Sequence, residues 1–134
     1  MKTGVVFDTN VLISSTIWEG SVAQKLLFKL IQEDIKIFSS PELLQEYQKI
    51  LKRDFGYLDG ETRNIIYKVS KFLTFVNPLK KVKVIKEDPD DNKVVECAIE
   101  SRARYIISYD KHLLKLKNYK DINIIRPEET FEIF

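Results

Sequence analysis

The chain has 134 residues, of which 44% are hydrophobic and 31% are charged. This length suits one domain of ~100–200 residues, and the low Gly and Pro content excludes a disordered chain. The sequence has no apolar run of the ~18–20 residues that a membrane-spanning helix needs, and Asp8 falls where a signal peptide would be apolar. The single Cys97 excludes a disulfide framework and a cysteine-based zinc site, and it indicates a reducing compartment, the cytoplasm. The 22 basic and 20 acidic residues leave a net charge of only +2, so the binding properties depend on how the two signs are distributed.

In the first half of the chain, short apolar runs alternate with helical patterns. Residues 4–7 are apolar and end at Asp8, which is typical of a strand buried on both faces, and a helix begins directly after it. Ser21 and Gln24 have the spacing of a capping box, and Ser40-Pro41 is a strong helix start. The elements predicted here are a strand over 4–7, a helix from residue 9, a helix behind Ser21, a strand over 35–38 and a helix from Ser40 to Leu51.

The second half continues the alternation. The elements predicted here are a turn-rich link over 54–61, a helix bearing residues 65–73 that ends near Asn77-Pro78, a half-exposed strand over 81–85, a helix over 94–99, a strand over 105–107, a short helix over 113–116, a strand over 122–125 and a helix from Pro127. Strands separated by helices require crossover connections, which favour a parallel sheet covered on both faces. We therefore expect a single α/β domain over residues 1–134, with three α/β/α layers and about five mainly parallel strands.

Four carboxylates lie at strand ends, on a helix stripe or at a helix start, where an acidic side chain can form part of a site. Asp8 and Asp110 each follow a predicted strand, where sites form in open α/β sheets. Glu46 lies on the apolar stripe of its helix, where a carboxylate is costly without a partner. Asp91 faces inward at a helix start, in the run Asp88-Pro89-Asp90-Asp91. Taken singly, each has an ordinary explanation: a residue after a strand, a salt bridge or a helix cap.

Taken together, the four acids point to a cation. Carboxylates held close together stay ionised only if a cation compensates them, and oxygen ligands suit Mg²⁺ or Mn²⁺. The lone His112 is interpreted as a surface or phosphate-facing residue rather than a ligand, and Cys97 as packing at the edge of the core. The helix face that carries Asn92, Glu96 and Glu100 is expected to be solvated.

Basic residues flank both acidic segments. They are Lys80, Lys81, Lys83 and Lys86 before the Asp run, Lys111, Lys115, Lys117 and Lys120 after Asp110, and Arg102 and Arg104 between them. A metal site of carboxylates acts on phosphoryl groups, and a polyanionic substrate needs basic residues around such a site. A nucleic-acid phosphodiester is therefore the natural substrate, the alternative being a merely solvated, lysine-rich surface.

Four motifs, in order, resemble those of the PIN-domain nucleases. They are Phe7 to Ser14, Ser40 to Tyr47, Asp88 to Lys93 with Ala98, and Ile106 to Lys111; the closing Ile124 to Phe131 also fits. The closest subgroup is the VapC-like toxin components of toxin–antitoxin pairs. The resemblance implies a metal-dependent endoribonuclease with Asp8, Glu46, Asp91 and Asp110 as its acidic quartet, a homodimer, and neutralisation by a cognate antitoxin.

Two positions depart from the pattern of that family. Tyr109 stands where relatives usually have Gly or a small polar residue, so it either narrows the access to Asp110 or offers a ring for base stacking. Ser108 replaces the commoner Thr and keeps its hydroxyl. Either Asp90 or Asp91 supplies the ligand, and the helix phase favours Asp91.

The resulting hypothesis is in-line attack of water on an RNA phosphodiester, assisted by one or two Mg²⁺ or Mn²⁺ ions. Asp8 is the central ligand, Glu46, Asp91 and Asp110 complete the site, and Asn10 and Ser108 hydrogen-bond to these carboxylates. The candidate RNA contacts are Lys86, Arg102, Tyr109 and Lys111, and the candidate dimer surfaces are residues 55–58 and the second helix. The alternative function is a catalytically silent RNA-binding or partner-binding module. A haloacid-dehalogenase phosphatase would need an Asp at the position of Asn10, and a receiver domain would need an acidic pair after the first strand.

Overall fold

A computed structural model describes residues 4–134, in which six strands form one sheet. Neighbouring strands are parallel, except that the last pair is antiparallel. The strands are β1 (Val5–Phe7), β2 (Ile37–Ser39), β3 (Leu73–Phe75), β4 (Tyr105–Ile107), β5 (Asn118–Tyr119) and β6 (Ile122–Ile125), and their order across the sheet is β3-β2-β1-β4-β6-β5. The expected mainly parallel α/β sheet is confirmed, with six strands rather than about five.

The helices begin at the caps that the sequence indicates. The Ser21 hydroxyl accepts a hydrogen bond from the Gln24 amide at 3.0 Å, and the Ser40 hydroxyl accepts one from the Leu43 amide at 3.3 Å. Gly56 closes the longest helix with a left-handed φ of 67°, which glycine adopts without strain. The helices are α1 (Thr9–Ile17), α2 (Val22–Gln32), α3 (Pro41–Phe55), α4 (Asp59–Ser70), α5 (Asn92–Ser101), α6 (Lys111–Leu116) and α7 (Pro127–Thr130), and a 3₁₀ turn spans Pro89–Asp91. No helix in the described part of the chain is long and apolar enough to span a membrane.

Two apolar clusters sandwich the sheet. Val5 and Phe7 of β1 belong to one cluster, and Val6 belongs to the other, because alternate residues of a strand point to opposite faces. The first cluster includes buried residues of α1, α2 and α3, and the second includes buried residues of α5 and α6. The predicted three-layer α/β/α architecture follows directly from this division.

Three element boundaries differ from the sequence prediction. The helix expected to carry residues 65–73 ends at Ser70, and Leu73–Phe75 forms the edge strand β3. The expected link over 54–61 shrinks to residues 56–58, because α3 runs on to Phe55 and α4 begins at Asp59. The strand expected over 35–38 lies at Ile37–Ser39.

The predicted strand over 81–85 is wrong. This stretch belongs to an irregular segment, residues 79–85, which we call the strap. Its backbone amides donate to side chains of α5 instead of to a neighbouring strand: Leu79 to Glu100 at 3.1 Å, Val82 to Glu96 at 3.0 Å, and Val84 and Ile85 to Asn92 at 3.1 and 2.9 Å. Residues four apart stack along one helix face, so the three side chains form a ladder that the strap follows.

The strap also corrects the expectation that this face of α5 is solvated. Glu96 is only 7% exposed and Asn92 only 6% exposed, because the strap covers them. The Asn92 amide group donates to the carbonyls of Ile85 and Pro89, both at 3.0 Å, so this one side chain fixes the strap and the turn before α5 together. The strap thereby positions the Asp-rich turn against the sheet.

Candidate metal centre

The site lies at the carboxyl ends of the adjacent strands β1 and β4. From β1 the chain proceeds to β2 and β3 on one side, and it then returns to β4 on the other side. A reversal of this kind opens a crevice at the strand ends, where α/β proteins place their ligands. Asp8 follows β1 directly, and Ser108 and Asp110 follow β4.

The Asp8 carboxylate is buried and held by two hydrogen bonds. It is 5% exposed, its Oδ1 accepts from the Thr9 amide at 2.8 Å, and its Oδ2 accepts from the Ser108 hydroxyl at 2.7 Å. Burial raises the pKa of Asp8, the two hydrogen bonds oppose that rise, and the negative charge of Asp110 adds to it. Asp8 is therefore a carboxylate held in one orientation in surroundings that disfavour its charge.

Ser108 connects the two strand ends. Its side chain is fully buried, and its Oγ donates to Asp8 while accepting from the Asp110 amide at 2.9 Å. Asp110 in turn caps α6, because its Oδ1 accepts from the amides of His112 and Leu113 at 2.8 and 3.2 Å. A single hydroxyl thus fixes the spacing between the Asp8 carboxylate and the start of α6.

Asp91 is a strongly perturbed acid of the site. It ends the 3₁₀ turn before α5, it is 9% exposed, and its buried Oδ2 has no hydrogen-bond partner among the described residues. Burial raises the pKa of Asp91 to about 8, and the neighbouring Asp110 is the next largest cause. A buried carboxylate oxygen without a donor is costly unless a cation compensates it.

The other two acids of the Asp run have structural partners. The Asp88 side chain accepts from the Asp90 amide at 3.2 Å and caps the turn. The exposed Asp90 forms an ion pair with Lys93 at 3.4 Å. The structure therefore directs Asp91, and not Asp90, into the crevice.

Glu46 approaches the site from α3. It is half-buried beside a surface groove of about 270 Å³ that Asp90 and Lys93 also line. Burial raises the pKa of Glu46, the charge of Asp8 raises it further, and Lys93 opposes the rise. Glu46 is thus within electrostatic reach of Asp8, as its place on the apolar stripe of α3 suggested.

His112 is a member of the site that the sequence interpretation missed. Its Nδ1 lies 3.7 Å from Asp110 Oδ1 and 4.0 Å from Asp91 Oδ2, so the ring packs against the acids instead of lying on the open surface. Asp88, Asp91, Asp110 and His112 each offer a ligand atom, and these atoms all lie within 4.8 Å of one another. The only available signal was the position of His112 in the first turn of the helix that Asp110 caps.

The other residues predicted to support the site or to contact RNA lie outside the group of potential metal ligands. Asn10 is exposed, and the hydrogen bonds to Asp8 come from Thr9 and Ser108 rather than from its amide. Tyr109 is 42% exposed; its hydroxyl bonds to Glu128, and burial together with that carboxylate raises the pKa of Tyr109 to about 12. Lys111 is exposed on the first turn of α6, and Lys86 is exposed just before Asp88.

Arg102 does not belong to the rim of the site. It caps the C-terminal end of α5, whose ten residues rise by about 15 Å from the turn that holds Asp91. Arg104 and Lys120 line a separate cleft where β4 and β6 begin. Arg102, Arg104 and Lys120 therefore do not belong to the expected basic rim, because closeness along the chain did not translate into closeness in space.

This arrangement fits a divalent cation. The crevice gathers carboxylate oxygens that burial and mutual repulsion make hard to keep ionised, and it leaves Asp91 Oδ2 without a donor. The potential ligand atoms that lie within 4.8 Å of one another come from Asp88, Asp91, Asp110 and His112, so two acids of the predicted quartet belong to this group. Asp8 and Glu46 lie outside it, although the charge of Asp8 raises the pKa of both Asp91 and Glu46. Fold and site together define an α/β protein with an acidic centre at its topological switch point.

Comparison with known proteins identifies the family of this chain. Residues 4–112 match the family model of the PIN domain, and the chain belongs to that family. It is 34% identical over 146 aligned positions to an uncharacterized protein of Methanocaldococcus jannaschii, an alignment that spans all of this chain and 93% of that protein.

Solved structures share the fold at low sequence identity. A chain of the VapBC2 complex of Rickettsia felis, crystallised with a DNA fragment from its promoter, superposes with a TM-score of 0.66 at 12% identity, covering 90% of this chain and 96% of that one. VapC20 of Mycobacterium tuberculosis, a toxin that cleaves the sarcin–ricin loop, superposes with a TM-score of 0.58 at 10% identity, covering 90% and 99%. The predicted PIN-like fold is thus confirmed.

Proposed function

We propose that the protein is a metal-dependent endoribonuclease whose single domain, residues 1–134, is the toxin of a cytoplasmic toxin–antitoxin pair. The observation that carries this proposal is the donorless, buried Asp91 Oδ2 beside Asp8 and Asp110 at the switch point of the sheet. Membership of the PIN family supports the nuclease activity, and the fold shared with VapC20 supports RNA as the substrate.

The acidic quartet would hold one or two Mg²⁺ or Mn²⁺ ions. Bound there, such ions would neutralise charge on a phosphoryl group and make water a better nucleophile. Asp8 is the central ligand because Ser108 and Thr9 fix both of its oxygens. Asp91 and Asp110 complete the site from the second strand end, and Glu46 closes it from α3.

The strand ends also offer groups for the RNA. Lys86 and Lys111 are exposed close to the crevice and would attract the phosphate backbone. The Tyr109 ring is partly exposed while its hydroxyl is tethered to Glu128, so it can stack on a base without swinging freely. Unpaired RNA suits this arrangement, because its bases can reach an aromatic ring.

A cognate antitoxin and a second copy of the chain are the partners we propose. The fold shared with a chain of the VapBC2 complex supports an antitoxin. Exposed apolar side chains support further contacts: Phe28 and Ile31 on α2 are 59% and 48% exposed, and Leu58 is 72% exposed. These positions fall on the second helix and on residues 55–58, the two surfaces proposed for a dimer.

The test is cleavage of a fluorogenic single-stranded RNA in the presence of Mg²⁺ or Mn²⁺. Wild type should cleave it, a chelator should stop the reaction, and Asp8→Asn should lose at least about 100-fold in rate while remaining folded. A DNA oligonucleotide of the same sequence tests the substrate class. Metal-dependent cleavage that survives in Asp8→Asn would contradict the site assignment, and RNA affinity without turnover would favour the silent binding module.

A further inference from the structure

The imidazole of His112 has no assigned role in the acidic quartet. Its Nδ1 is buried and has no hydrogen-bond partner among the described residues, as is also true of Asp91 Oδ2. These two atoms are 4.0 Å apart, which is too far for a direct hydrogen bond, and Nδ1 lies 3.7 Å from Asp110 Oδ1. Two unpartnered polar atoms therefore face each other across a gap.

The width of this gap suits a metal ion. Ligand bonds of about 2.1 Å place two ligand atoms ~3.0 Å apart at right angles and ~4.2 Å apart on opposite sides of an ion. Both distances from His112 Nδ1, 3.7 and 4.0 Å, fall inside this range. A hydrogen bond to Asp110 does not explain the position of the ring, because Asp110 Oδ1 lies beyond hydrogen-bond distance from Nδ1 and already accepts two backbone hydrogen bonds.

The chemistry of this donor set differs from that of an all-carboxylate site. Mg²⁺ prefers oxygen ligands and binds imidazole poorly. Mn²⁺ also prefers oxygen, but as a first-row transition-metal ion it accepts an imidazole nitrogen more readily than Mg²⁺ does. A centre of Asp88, Asp91, Asp110 and His112 offers three carboxylates and one nitrogen. Such a mixed set favours Mn²⁺ over Mg²⁺.

We propose that His112 Nδ1 is a direct ligand of the divalent ion held by Asp91 and Asp110, and that this nitrogen makes the centre prefer Mn²⁺ to Mg²⁺. This inference rests on the metal site of the proposed function and adds the ligand that sets its selectivity. The ring is supported for this task because it sits in the first turn of α6, which Asp110 caps.

The sequence permits an unambiguous test, because His112 is the only histidine of the chain. In untagged full-length protein loaded with Mn²⁺, pulsed electron paramagnetic resonance should detect a directly coordinated imidazole nitrogen. In His112→Asn, whose amide can place an oxygen near the former Nδ1, that coupling should disappear. Calorimetric titrations should show the ratio of Mn²⁺ to Mg²⁺ affinity falling by roughly tenfold in this variant.

Asp91→Asn separates the possible failures. Mn²⁺ binding that Asp91→Asn weakens, but that shows no nitrogen coupling in wild type, would overturn the role of His112 and leave the proposed metal site standing. Mn²⁺ binding that neither substitution affects, or no binding at all, would overturn both. Circular dichroism and thermal melts of each variant confirm that the comparison is between folded proteins.

Discussion

Replacing Asp91 with Asn should stabilise the metal-free protein. At pH 7 the unfolded chain carries an ionised Asp91 near its ordinary pKa of 3.8, whereas the folded chain holds a carboxyl whose pKa is raised to about 8. At pH 7, folding therefore requires Asp91 to take up a proton, and this uptake lowers the free energy of unfolding. Asparagine needs no proton and has nearly the same shape, so the substitution removes this penalty. Asp90→Asn is the matched control, because Asp90 is exposed and pairs with Lys93.

The size of the effect follows from the interval between pH 7 and the ordinary pKa. At ~1.4 kcal/mol per pKa unit the interval gives an upper limit of roughly 4 kcal/mol. The asparagine NH₂ must find an acceptor among the neighbouring carboxylates, so we expect a gain of about 1–3 kcal/mol. For a chain of this size, that gain raises the melting temperature by roughly 4–12 °C.

The pH dependence has a definite sign. Because the pKa of Asp91 is raised in the folded protein, the wild type loses stability as the pH rises from about 4 to about 8. The advantage of Asp91→Asn should therefore be absent near pH 4, grow up to about pH 8 and then level off. Urea unfolding in the presence of a chelator measures it at each pH. A variant that is less stable than wild type at pH 7, or whose advantage does not shrink toward pH 4, would refute this reasoning.

Three further substitutions test the hydrogen bonds of Ser108, the attachment of the strap to α5, and the basic residues close to the crevice. Ser108→Ala removes the donor to Asp8 and the acceptor of the Asp110 amide. It should lower the free energy of unfolding in urea by about 1–3 kcal/mol and weaken Mn²⁺ binding about 10–100-fold in calorimetry. Unchanged metal affinity would contradict the role of Ser108 in positioning Asp8 and Asp110. Asn92→Ala removes four hydrogen bonds between α5, the strap and the Asp-rich turn. It should lower the free energy of unfolding by about 2–4 kcal/mol and speed amide hydrogen exchange in the strap. Unchanged exchange would contradict the role of Asn92 in holding the strap against α5. Lys111→Glu should weaken RNA binding at low salt by several-fold in fluorescence anisotropy, whereas Arg102→Glu at the far end of α5 should not, and equal losses would contradict the assignment of the rim.

The strands that carry the site were predictable because their apolar runs end abruptly at polar residues. Asp8 after β1 and Ser108 after β4 mark the ends of the two central strands, and the alternation of strands with helices implied that these ends meet. Glu46 and Asp91 could be oriented from helix phase, and in the structure Asp91 lies beside Asp110 while Glu46 lies within electrostatic reach of Asp8. Local pattern was sufficient wherever the end of a strand or the phase of a helix decides which way a residue faces.

The errors arose where the partner lies elsewhere in the chain. The alternation of Lys with Val or Ile over 81–85 has the period of a strand, but the amides of the strap find their acceptors on α5. The apolar period of α4 continues into Leu73, which pairs with β2 instead. His112 gave only the weak signal of its place in the first turn of α6, because its neighbour Asp91 is distant in sequence and comes close only in the folded chain.

We propose that the buried acids at the switch point hold a divalent ion. Anomalous diffraction from crystals soaked in Mn²⁺, recorded at the manganese absorption edge, tests it most directly. We expect a strong anomalous peak within bonding distance of Asp91 and Asp110 that is absent from crystals of Asp91→Asn. A map without a peak in this crevice, or with manganese only at surface carboxylates such as Asp90, would contradict the account.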